Sequence, residues 1–148
     1  LIYDRAAVPQ RFASFGFLVP RKERRSLVAC TFVDQKFNHR VPPHRLLLRC
    51  FLGGAGSEAV LGWSDEAVRQ AVMEDLRTML GLTAEPLAFS VSRWPRSMAQ
   101  YETGHAQRLS RIEARCQQHP GLFLAGNGYK GIGIPDCIKS GQLAARPA

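Results

Sequence analysis

The first third of the chain carries its apolar residues in short runs, and after Ser64 they shift to a helical spacing. Phe15 to Val19 and Leu27 to Val33 are rich in β-branched and aromatic residues and flank the polar stretch Arg21-Lys22-Glu23-Arg24-Arg25, a pattern that predicts a hairpin with a solvated basic turn. The opening Leu1-Ile2-Tyr3-Asp4 reads as part of a strand, and Leu46 to Gly53 as another with Arg49 inside it. Gly53, Gly54, Gly56 and Ser57 then form a loop. Val68, Ala71, Val72, Leu76, Met79 and Leu80 recur on one helical face, with Asp75 among them. Ser64 is a good N-cap, Asp65 and Glu66 suit a first turn, and Gly81 suits an end, so a helix is expected from Ser64 to Leu80.

Leu87 to Trp94 alternates Phe89, Val91 and Arg93 against Ala88, Ser90 and Ser92, which predicts a strand. His105 to Gln118 places Leu109, Ile112 and Cys116 on one face and arginines on the other, a second helix that Pro120-Gly121 ends. Leu122 to Ala125 is a short apolar run, followed by a stretch dense in glycine up to Pro135. The order predicts strand, glycine loop and helix, because glycine lets backbone approach a ligand and proline fits a first helical turn. Asp136 belongs to that turn, and Gly141 is either a close-packing contact or an early stop. The unpaired N–H groups of such a helix start suit an anion or an electron-rich carbonyl. Neither a G-x-G-x-x-G fingerprint nor a P-loop is present, so the residues alone leave a plain tight turn and a cofactor contact both open.

Composition narrows the class. The 148 residues are 45% hydrophobic and 22% charged, as in ordinary globular domains. The net charge of +8 is spread along the chain without interleaved stacking aromatics, which argues against nucleic acid. Cys30, Cys50, Cys116 and Cys137 are far apart, and His39, His44, His105 and His119 are isolated, so no metal site is expected. Free thiols in apolar surroundings favour a reducing compartment, here the cytoplasm. No apolar run reaches the roughly 18 residues of a membrane span.

Longer motifs identify a resemblance. Gly126-Asn127-Gly128-Tyr129-Lys130-Gly131-Ile132-Gly133-Ile134-Pro135-Asp136-Cys137-Ile138-Lys139-Ser140-Gly141 resembles the C-terminal signature of protoporphyrinogen oxidases, members of the flavin amine oxidase superfamily. The resemblance implies FAD, with Asn127, Ile132, Gly133 and Ile134 against the flavin ring and ribityl chain. Phe15-Gly16-Phe17-Leu18-Val19-Pro20 resembles the family's F-G-x-L-V-P segment, which implies Phe15 and Leu18, with Thr31 on the next strand, as substrate contacts. As strand residues, Phe15 and Leu18 are equally at home in a core. Arg93-Trp94, Gln100-Tyr101 and Gly104-His105 follow the family's R-W-x-x-x-x-P-Q-Y-x-x-G-H pattern, with Ala99 where proline is usual. Lys36-Phe37-Asn38-His39-Arg40 is similar to K-F-P-x-R, with Asn38 in place of proline. Trp94 is thereby implied to wall the flavin from water, although a core tryptophan would read the same.

The resulting expectation is an α+β fold. Residues 1–118 would form a mixed-sheet, substrate-binding portion with packed helices, and residues 119–148 the last strand and helix of a Rossmann-like FAD-binding domain. The chain opens without Met and lacks a dinucleotide fingerprint, so the N-terminal FAD-binding half is expected elsewhere in a longer flavoenzyme. The implied reaction is oxidation of a porphyrinogen to a porphyrin in haem synthesis, with dioxygen as the final acceptor. No residue stands out as a catalytic acid, base or nucleophile. The positive charge fits propionate-bearing substrates or a peripheral contact with anionic lipid. Other flavin amine oxidases, acting on amines or carotenoids, and a non-catalytic porphyrin-binding module share these features.

Overall fold

The structure, a computed structural model, describes residues 1–9 and 12–145. The chain divides into two compact units, residues 1–93 and 94–148. This division by compactness is a separate matter from the division by role expected at 118/119.

The first unit is built on strands β1 (Ile2–Asp4), β2 (Gly16–Leu18), β3 (Leu27–Phe32) and β4 (Arg45–Leu52), joined in the order β1-β4-β3-β2. The predicted hairpin is β2–β3, with the basic stretch forming an exposed turn in which Arg24 adopts a left-handed conformation. All pairings among the described residues are antiparallel, so the expected mixed sheet is not what they form. The physical reason lies in the connections: a parallel neighbour needs a crossover, usually a helix, laid across the sheet. Here β3 turns back into β4 through the one-turn helix α1 (Val33–Lys36) and a short polar loop. Gly16 is required at the hairpin edge. Its φ is 147°, and a Cβ there would be driven into the Cys30 carbonyl and to 2.9 Å from Thr31 Cα.

Helix α2 (Asp65–Leu80) begins on the predicted cap, with Ser64 Oγ accepting the Ala67 N–H at 3.2 Å, and ends on left-handed Gly81. Its apolar face, Val68, Val72 and Leu76, meets Tyr3, Leu27, Cys30, Phe32, Leu46 and Leu48 from the sheet in one buried core. Asp75 is buried within this face and fully partnered there. Its Oδ2 accepts the Leu27 N–H at 2.9 Å, and its Oδ1 lies 3.7 Å from Arg25 Nη1. Cys30 and Cys50 face each other across β3 and β4 as free thiols, 3.8 Å apart. The hydrogen bond between them, and then burial, push the Cys30 pKa up, while the same bond holds Cys50 down.

The strand expected over Leu87 to Trp94 reduces to one bridge, Ala88 with Ile2. The strand expected over Leu122 to Ala125 does not form, and Leu122, Phe123 and Leu124 are exposed. Alternation and apolar runs describe a segment's faces, but a strand also needs a neighbour to complete its ladder. Neither segment has one among the described residues beyond the contact at Ile2.

The second unit holds helices α3 (His105–Cys116) and α4 (Ile134–Ala144). Gly141 is no early stop, since α4 runs through it to Ala144. None of the described residues from 94 to 145 is buried. No helix among the described residues is long and apolar enough to cross a membrane.

Candidate functional site

The glycine loop between Gly126 and α4 is held by side chains from the segment leading into α3. Tyr101 is the centre of that support. Its hydroxyl donates to the Asn127 carbonyl and accepts the Gly131 N–H, both at 2.8 Å, so a single oxygen fixes the two ends of the turn. The Tyr101 ring stacks on His105 at 4.0 Å and 12°. His105 Nε2 in turn lies 2.9 Å from the Tyr129 carbonyl, which fixes its tautomer with the proton on Nε2. Ser140 Oγ accepts the Gly126 N–H at 3.1 Å, and Lys130 pairs with Glu113 of α3. The motif residues Tyr101 and His105 therefore hold the glycine loop by its backbone.

At the start of α4, Asp136 Oδ2 accepts the Gly133 N–H at 3.3 Å. Gly131 is at φ 121°, where a Cβ would sit 2.5 Å from Asp136 Cγ, so the close approach of this turn to its own cap depends on glycine. Of the expected flavin contacts, the Gly133 amide is committed to the cap. The N–H groups of Ile132, just before the cap residue Gly133, and of Ile134, at the first helical position, have no acceptor among the described residues. Ile132 is 50% exposed and Ile134 77%, and Asn127 is exposed as well. Trp94 belongs to the same compact unit and is 74% exposed, with its carbonyl accepting from Ser97 Oγ at 2.9 Å. It is not a core tryptophan within the described residues.

This donor set suits a flavin. A ring bearing carbonyl oxygens and gaining negative charge on reduction matches the free amides around this helix start, and its apolar edge matches the exposed isoleucines. Tyr101 and His105 were legible as a motif but not as a clamp, since their partners lie 26 and 24 residues away.

The expected substrate residues lie in the other unit. Leu18 is opposite Ala29, and Gly16 is opposite Thr31, on the sheet face turned away from the core. Leu18 is 82% and Phe15 67% exposed, which removes the core reading for both, while Thr31 is half-buried. Two surface concavities of about 440 and 410 Å³ occur elsewhere in this unit, one beside Asp4, Val8 and His44 and one beside Trp63 and Ala71; none of the expected residues lines either. Among the described residues, no cluster of three or more potential metal ligands is present.

Comparison with known proteins gives a consistent result. The family described as Flavin containing amine oxidoreductase matches residues 1–147. The coproporphyrinogen III oxidase of Bacillus subtilis (strain 168) is 35% identical over 99% of this chain and 31% of its own length. The chloroplastic protoporphyrinogen oxidase of Nicotiana tabacum is 30% identical, over 97% of this chain and 27% of its own. A provisionally named protoporphyrinogen oxidase from Exiguobacterium sp. 255-15, known from a crystal structure, superposes with a TM-score of 0.81 at 39% identity, covering 96% of this chain and 31% of that one. The chain thus spans less than a third of the length of these relatives.

Proposed function

The chain belongs to the flavin-containing amine oxidoreductase family, and from this premise we propose that it is the C-terminal portion of an FAD-dependent porphyrinogen oxidase of haem synthesis. The observation that carries the reading is the exposed wall of the second unit. Ile132 and Ile134 present apolar surface beside amides without acceptors, on a unit with no buried residue of its own among those described, and Trp94 of the same unit is exposed as well. Such a patch fits a surface to be covered. The occupants that fit are a flavin and the N-terminal half of the enzyme.

When bound, FAD supplies the hydride acceptor, and dioxygen is the terminal acceptor in this reading. Asn127 and the amides of Ile132 and Ile134 hold and polarise the cofactor's polar edge, with Gly133 keeping the backbone close. Trp94 excludes water from the reacting face. Phe15, Leu18 and Thr31 offer the tetrapyrrole an apolar surface from residues 1–118, and residues 119–148 complete the cofactor domain. No acid, base or nucleophile is assigned, so rate enhancement rests on positioning the macrocycle.

The test uses the full-length protein, loaded with FAD and given coproporphyrinogen or protoporphyrinogen under air, with porphyrin fluorescence as the readout. A flavin-dependent rise above the autoxidation control is expected. Its absence with both substrates overturns the reading.

A further inference from the structure

We propose that Arg49 is a carboxylate anchor on the outer face of the sheet, pairing with a substrate propionate and favouring a tetrapyrrole that carries one on every pyrrole ring. The inference rests on the porphyrinogen reading above and adds a residue and a preference to it.

Strand register sets out the geometry. One row across the outer face is Leu18, Ala29 and Phe51; the next is Gly16, Thr31 and Arg49. The rows are about 7 Å apart along each strand. Ala29 thus lies between two bulky apolar residues, Leu18 at 82% exposure and Phe51 at 43%, and the next row adds two more small ones, Gly16 and Thr31. The result is a shallow apolar strip, suited to the flat face of a macrocycle, with Arg49 at its margin and also exposed.

The balance of charge then singles out Arg49. The other arginine on the same face of β4, Arg45, beyond Leu47, is paired with Asp4 at 3.0 Å. The Arg49 side chain has no ion pair or hydrogen bond among the described residues, and no acidic side chain stands opposite it, since its register partner is Thr31. An uncompensated guanidinium beside apolar surface recognises a carboxylate in a two-pronged fashion, and the adjoining apolar groups strengthen the pair by keeping water away. Coproporphyrinogen has a propionate on every ring, whereas protoporphyrinogen has vinyl groups on half of them. A propionate therefore reaches Arg49 in more orientations of the first substrate than of the second.

The experiment compares the full-length, FAD-loaded protein with its Arg49→Leu and Arg49→Lys variants on both porphyrinogens. It also measures binding of coproporphyrin III and its tetramethyl ester by fluorescence. Arg49→Leu is expected to lower kcat/KM for coproporphyrinogen roughly 10- to 100-fold, chiefly through KM, as loss of a charge-assisted pair implies, with a smaller effect on protoporphyrinogen. Coproporphyrin affinity falls in parallel, the ester's affinity is unchanged, and Arg49→Lys recovers part of the loss. Flavin content and Tm stay at the parent values because the side chain is exposed. If the parent enzyme oxidises neither substrate, the activity reading and this inference fall together. If it is active and the substrate ratio or coproporphyrin affinity is unchanged in Arg49→Leu, Arg49 alone is overturned.

Discussion

The Tyr101 hydroxyl joins two backbone points of the glycine loop, and removing it leaves the Gly131 N–H and the Asn127 carbonyl without their partner. Tyr101→Phe keeps the ring stack on His105, so the expected result is a loosened loop in an intact fold. Flavin dissociation from the full-length protein should become about 5- to 30-fold easier, the effect of losing roughly 1–2 kcal/mol, while Tm moves little. Equilibrium dialysis of the variant checks this. Tyr3 gives a prediction in pH. Burial, aided by Cys50 and Glu85, pushes its phenol from 10.0 up to about 12. The unfolded chain then gives up this proton before the folded one does. Its contribution to stability is complete below pH 10 and is lost as pH rises from 10 towards 12, about 2–3 kcal/mol in all. Tyr3→Phe should flatten this part of an alkaline denaturation curve and remove a late-titrating phenol from the tyrosinate absorbance.

Among the elements, α2 is tied to β3 by a buried carboxylate. Asp75→Ala strands the Leu27 N–H and leaves Arg25 without its anion, so a loss of about 2–4 kcal/mol is expected. Asp75→Asn can still accept the Leu27 N–H and should lose less; urea midpoints of the two variants decide the order. The elements also show what the sequence could and could not reveal. Helix α2 was legible almost to the residue, because Ser64, Gly81 and a helical apolar spacing are local signals that need no partner. The hairpin was legible for similar reasons. Residues 87–94 and 122–125 carry comparable strand patterns, but their outcome depends on what lies alongside, which no local pattern contains. Asp75 falls among the apolar positions by its spacing and proves to anchor that face, a role that depends on a backbone amide 48 residues earlier. Long motifs named the candidate site, but they carry no sign of the hydrogen bonds that hold its loop.

For the whole molecule, the two units differ in self-sufficiency. Residues 1–93 enclose a core, and the described residues of 94–148 bury none of their side chains. The surfaces proposed for cofactor and substrate are both open, and an open wall gives a small ligand little enclosure. Purified alone, the 148-residue chain is therefore expected to be colourless after gel filtration in excess FAD. A stoichiometric flavin spectrum would show that this chain suffices for binding.

The uncovered run Leu122-Phe123-Leu124 has a further effect on handling. Greasy backbone without a ladder partner is adhesive, and at high concentration one copy offers another the pairing it lacks. Light scattering by the isolated chain should climb steeply with concentration, and Leu124→Lys, which places a charge inside the run, should suppress the clumping.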